Sequence, residues 1–142
     1  MKTLTIKTIL LAFVAIVGFS SLTKADDLKD RNIQYSVNSF VNKIKTGKSA
    51  DLASILSEDV KFNMSRNGKI MTHGKKEELD FNKKNANVIQ QCKVETATLV
   101  NTENYSLVKV SSIYEGFTRE DFVTLIKTKN DWKITDVTTN FK

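Results

Sequence analysis

The sequence predicts an α+β domain in which an antiparallel sheet wraps around three helices, and three observations carry that prediction. Two helical patterns run straight into a strand between Phe40 and Met64, one further helix follows a hairpin turn, and the rest of the chain is a series of strand-like segments divided by turn residues. Helices first and hairpin-linked strands afterwards is the order of a sheet folded over a few helices, not of alternating strand and helix units. The chain of 142 residues contains no proline, which suits long, uninterrupted strands.

Taken in order, Ile33, Val37, Phe40, Val41 and Ile44 fall on one stripe of a 3.6-residue helix. Lys43 and Lys45 favour the negative end of that helix, and Gly47 can take the left-handed closing position. Ser49 suits the cap of a second, short helix whose Leu52, Ile55 and Leu56 share a face. The period then switches to two: Val60, Phe62 and Met64 alternate with Lys61, Asn63 and Ser65 as in a half-buried strand. Asn67-Gly68 predicts a tight hairpin into Lys69 to Met71. Gly74 to Asn85 reads as a lysine- and glutamate-rich helix with Leu79 and Phe81 as its large apolar residues. On it Glu77, Glu78 and Asp80, among lysines, predict an exposed face of paired charges. Val88 to Val100, Tyr105 to Tyr114, Phe117 to Lys127 and Trp132 to Thr139 are rich in Val, Ile, Thr and aromatics and read as strands. In the last of these Trp132 and Ile134 share a side with Asp136 and Thr138, so simple alternation leaves its inward face undecided.

Residues 1–25 have the build of a secretory signal: Lys2 and Lys7 at the start, an apolar stretch from Ile9 to Phe19, and Thr23-Lys24-Ala25 as a small-x-small cleavage site. Eleven residues are too few to span a bilayer, which takes roughly 20. The expectation is an exported protein, periplasmic or secreted, with one domain over residues 26–142 and no membrane attachment after cleavage. Of the 22 basic residues Lys2, Lys7 and Lys24 leave with the signal, so 19 face 16 acidic ones and the net charge falls from +6 to +3. Those lysines are dispersed among acids with no accompanying motif, which argues against nucleic acid as a partner.

Little in the chain announces catalysis. Cys92 is the one cysteine and sits among strand residues, where a thiol usually acts as a small buried hydrophobe. His73 is the one histidine; without further clustered ligands it makes no metal site, and no cofactor motif is present. As a base it has a suitable pKa range, but its place before Gly74 fits the start of a helix. His73 and Asp136 are the weak catalytic candidates, and the expectation leans against an enzyme.

The run TGKSADLASILSEDVKFNM, the segment HGKKEELDF and the closing DWKITDV resemble the nuclear transport factor 2-like superfamily, which also holds SnoaL-like cyclases and ketosteroid isomerases. The resemblance covers the whole mature chain and is strongest with small exported bacterial members described as lumazine-binding. It implies a curved-sheet cone with a cavity between helices and sheet, and dimerisation through the sheet's outer face, here Lys109, Ser111 and Ile113. It also implies positions for an isomerase's tyrosine donor, aspartate base and later-strand acid, which fall on Phe40, Met64 and near Leu125. All three are apolar, so they can neither donate to an enolate nor take up a proton. The register of the strands places Phe40, Val60, Phe62, Met64, Val110, Ser112, Tyr114, Val123 and Leu125 toward the cone, with Ser112 and Tyr114 as polar handles. Such walls suit a small apolar or aromatic ligand. Three functions follow: a non-catalytic binding domain, an isomerase-type enzyme with an unconventional base, or a dimeric interaction module.

Overall fold

The structure is a computed structural model that describes residues 23–48 and 50–142, with side chains described from residue 33. The chain divides into two units, Met1–Asn32 and Ile33–Lys142, and the second holds the sheet and the buried core. The expected signal segment, apart from its last three residues, and the cap expected at Ser49 lie outside the described residues.

Helix α1 (Thr23–Thr46) buries Val37, Phe40 and Ile44, the stripe its spacing predicts, and ends on Lys43 and Lys45. Gly47 follows at φ 65°, its N–H bonded to the Lys43 carbonyl at 3.0 Å. Helix α2 (Leu52–Ile55) is a single turn that starts after Asp51 and buries Leu52 and Ile55. Leu56, expected on that helix, already begins strand β1 (Leu56–Arg66), where it is 2 % exposed. Asn67 and Gly68 both take positive φ, 53° and 74°, and turn the chain into β2 (Lys69–His73). Helix α3 (Lys75–Lys84) is flanked by Gly74 and Asn85, and Glu77 accepts the Gly74 N–H at 2.8 Å.

Strands β3 (Lys93–Asn101), β4 (Tyr105–Ile113), β5 (Thr118–Lys127) and β6 (Trp132–Phe141) complete a six-stranded sheet in the order β2-β1-β6-β5-β4-β3. Two expectations change. β3 starts at Lys93, not Val88, because the backbone before it is spent on the helix: the Gln90 N–H bonds the Lys45 carbonyl at 2.9 Å, and Asn87 turns at φ 63°. The sheet is antiparallel except between β1 and β6, which run parallel. The segment through α3 carries the chain back along the sheet before the four-strand meander, so β6 ends up running in the direction of β1.

The inward face of β6 is decided by a bulge. Leu125 pairs with Ile134 but Thr124 pairs with Asp136, leaving Thr135 as an extra residue. Trp132 and Ile134 therefore point inward before it, and Val137 and Thr139 after it; all four are at most 5 % exposed. The core joins α1, α2 and the inner faces of β1, β4, β5 and β6 through Phe40, Leu56, Val60, Val110, Val123, Leu125 and Ile134, each at most 2 % exposed.

Candidate functional site

A cavity of about 520 Å³ opens where the C-terminal half of α1, the β1–β2 hairpin, α3 and the inner ends of β5 and β6 meet. Its wall includes Phe62 and His73, paired across β1 and β2 and stacked face to face with ring centroids 5.0 Å apart and planes within 8°. Met64, Ile44, Phe81 and Val88 add apolar surface.

The polar part of the wall is organised by Glu78, a carboxylate only 5 % exposed. Lys43 and Asn82 reach its Oε1, the latter at 3.0 Å, while His73 Nε2 lies 2.6 Å from Oε2. Burial pushes the Glu78 carboxyl up, but the nearby Lys43 charge and the hydrogen bonds from Lys43, His73 and Asn82 outweigh it and hold the group below the usual carboxylate range. Glu78 was expected on an exposed face; it is buried because three donors from three parts of the chain converge on it. Asp80 does stand in a surface pair, with Lys76 one turn before it at 2.8 Å. Lys43 also lies over the rings of Phe40 and Phe62, 5.2 and 5.6 Å from their centroids.

On the sheet side Arg119, Tyr114 and Thr139 line the cavity. Arg119 donates through Nε and Nη2 to Oδ1 of the fully buried Asp121, at 3.0 and 2.9 Å, and Thr139 donates to the same oxygen at 2.5 Å. Asp121 Oδ2 and Ser112 Oγ, on diagonal neighbours of the inner face, have no hydrogen-bond partner among the described residues. The Tyr114 hydroxyl donates to Gln90 at 3.3 Å. Burial, with Cys92 beside it, pushes the Tyr114 phenol up.

Of the residues expected at the cone, Phe62, Met64 and Tyr114 line this cavity. Phe40, Val60, Val110, Val123 and Leu125 belong to the packed core, and Ser112 is buried beneath the sheet-side wall. His73 lines the cavity, whereas Asp136 stands on the opposite face of the sheet from Val137 and accepts from Asn63 at 2.8 Å. The structure thus does not bring His73 and Asp136 together. Lys43, Glu78 and Arg119 were not read as site residues from the sequence. Arg119 and Asp121 carried a signal, since the alternation that turns Val123 and Leu125 inward does the same for both. Lys43 and Glu78 carried none, being 35 residues apart. Among the described residues no three His, Cys, Asp or Glu side chains group as a metal site, and no helix is long and apolar enough to cross a membrane.

A family described as "Putative lumazine-binding" matches residues 29–139. Among solved structures, a nuclear transport factor 2-like protein of unknown function from Silicibacter pomeroyi DSS-3 superposes with a TM-score of 0.68 at 12% identity, over 82% of this chain and 98% of that one. One from Shewanella baltica OS155, also of unknown function, gives 0.64 at 13% identity over 81% and 94%. A nuclear transport factor 2-like protein from Cytophaga hutchinsonii gives 0.59 at 13% identity over 76% and 93%. At these identities the likeness is one of fold. Comparison with curated proteins returns no match.

Proposed function

The chain belongs to the family described as "Putative lumazine-binding", on a nuclear transport factor 2-like fold, and from that membership we propose that its cone is a non-catalytic binding site for a small, flat, largely apolar or aromatic ligand. The observation that carries the reading is the stacked Phe62–His73 pair, with Met64, Ile44, Phe81 and Val88, in the wall of a cavity of about 520 Å³. Ligand sites of this size, roughly 300–1,000 Å³, combine apolar and aromatic walls with a few polar groups that fix orientation. Here Lys43, Tyr114 and Arg119 are those groups, and a two- or three-ring heterocycle fits the space. The family's description makes lumazine, a fused two-ring dione, the first probe. Calorimetric titration of the protein should give saturable one-to-one binding; absence of binding by lumazine and by plain aromatic rings of similar size would overturn the reading.

The enzyme alternative rests on one contact, His73 to Glu78, since a carboxylate that orients an imidazole is how bases are positioned. Phe40, fully packed in the core, and Met64 offer neither a donor nor a base. Turnover of an enone substrate, lost in His73→Ala and retained in Met64→Ala, would favour the enzyme. The reading also takes residues 1–25 as a cleaved signal, so that intact mass of the exported protein should correspond to a start at Asp26; retention of Met1 would replace export with anchoring.

A further inference from the structure

We propose that the open end of the cone docks on an anionic membrane surface, so that the mouth of the cavity faces the bilayer. The contact is reversible and needs no anchor. It goes beyond the reading of the cavity as a binding site and depends on where the mouth lies, not on what the cavity holds.

Two independent features meet at that end, and the first is apolar. Met71, Phe81, Val88, Phe117 and Phe141 are each at least 44 % exposed. Phe81 and Val88 line the cavity from the helix side, and Met71 pairs with the cavity residue Met64. On the sheet side Phe117 stacks on Tyr114 with centroids 4.6 Å apart and lies 6.2 Å from Phe141, which pairs with Arg119. Large apolar side chains gathered around an opening mark a contact surface. The second feature is charge. Arg66 and Lys69, paired across the hairpin, continue the inner face two residues beyond Met64 and Met71. Lys45 and Lys48 stand on either side of Gly47, against which the segment after α3 packs, and Lys83 and Lys84 end that helix. All of these basic residues are exposed, and none forms an ion pair among the described residues. The nearby carboxylates are engaged: Glu120 with Lys142 at 2.9 Å, Asp80 with Lys76 at 2.8 Å and Glu77 with the Gly74 N–H, which leaves Glu115 in the turn after Tyr114. Toward the other end of the sheet Lys75 and Lys133 are instead paired, with Glu58 and Asp131 at 2.6 and 3.1 Å. An apolar ring inside a collar of unpaired basic residues suits entry into a headgroup layer, because apolar burial and attraction to anionic lipid add. A second copy would bring the same positive collar and be repelled, and nucleic acid offers the apolar ring nothing to bury it.

The test is co-flotation of the mature chain with vesicles of phosphatidylcholine, alone or mixed with phosphatidylglycerol. The protein should float with the mixed vesicles, stay behind with the neutral ones, and be released as salt rises, since the attraction is screened. Arg66→Glu combined with Lys69→Glu, both exposed and outside the cavity wall, should weaken binding to the mixed vesicles on the order of tenfold or more. Phe81→Ser should also weaken it while leaving every charge in place. Lys129→Glu, in the turn between β5 and β6 at the far end, should bind as the natural protein does. No flotation with either vesicle, equal flotation with both, or an equal loss in Lys129→Glu overturns the inference. Self-association that Phe81→Ser abolishes would assign the apolar ring to a second copy and overturn it as well. Titration with lumazine is read separately, so failure of the docking inference leaves the cavity reading in place.

Discussion

Glu78 shows how much one side chain organises. Its carboxyl is held below the usual range of about 4.3 by groups that exist together only in the folded protein. A depressed folded pKa adds stability that is present above the unfolded value and is lost as pH falls through the folded value. Glu78→Gln should therefore lower stability at neutral pH and flatten the acid limb of the stability curve, read by denaturant melts followed by the fluorescence of the buried Trp132. An unchanged acid limb would mean the contacts contribute nothing. Gly47 is the second such residue. Its φ of 65° lies in the left-handed region, and an added Cβ would sit 2.8 Å from the Asn85 carbonyl oxygen and 2.9 Å from the Asn87 and Val88 nitrogens. Gly47→Ala should destabilise by at least the roughly 1–3 kcal/mol that such strain costs, and it should weaken ligand binding because Gly47 and Val88 belong to the cavity wall. Gly47 was readable as a helix stop; its tight contact with the segment after α3 was not, since that depends on a partner some forty residues away.

At the scale of elements, periodicity carried α1, β1, β4 and β5, and it failed where the backbone departs from a regular period. β6 is the clearest instance: Trp132 and Ile134 conflict with Val137 and Thr139 until Thr135 is taken out of the ladder, and nothing in the residue types marks Thr135 as a bulge. Deleting Thr135 removes the bulge and leaves strict alternation with Ile134, Val137 and Thr139 inward and Asp136 outward, so the core side chains keep their face. We expect a loss below about 3 kcal/mol in denaturant melts, since neither the burial of unpaired charge nor the opening of the core follows. A larger loss would show that the bulge itself holds β6 in register. The parallel β1–β6 pairing was likewise hidden, because it follows from the return path through α3, not from any local pattern. The polar half of the cavity is partly of the same kind: Tyr114 and His73 stood out as single residues and the inward parity of Arg119 and Asp121 was readable, but their meeting with Lys43 and Glu78 depends on how α1, β2, α3 and the sheet come together.

For the molecule as a whole, the outward sheet face offers Lys109, Ser111 and the exposed Ile113, with Ile126 exposed on the next strand. We expect this face to pair two copies. Light scattering at micromolar concentration should give twice the mass of the mature chain, and Ile113→Lys should return it to a monomer; a monomer in the natural protein would end the expectation of a dimeric module. The central claim is that the cavity is the functional site, and it is tested most directly by following backbone and side-chain NMR signals of the protein as lumazine is added. The account predicts saturable shifts concentrated at Phe62, Met64, His73, Tyr114 and Arg119, with the outer-face residues Lys109 and Ser111 unmoved. Shifts confined to the outer face, or none at any concentration, would contradict it.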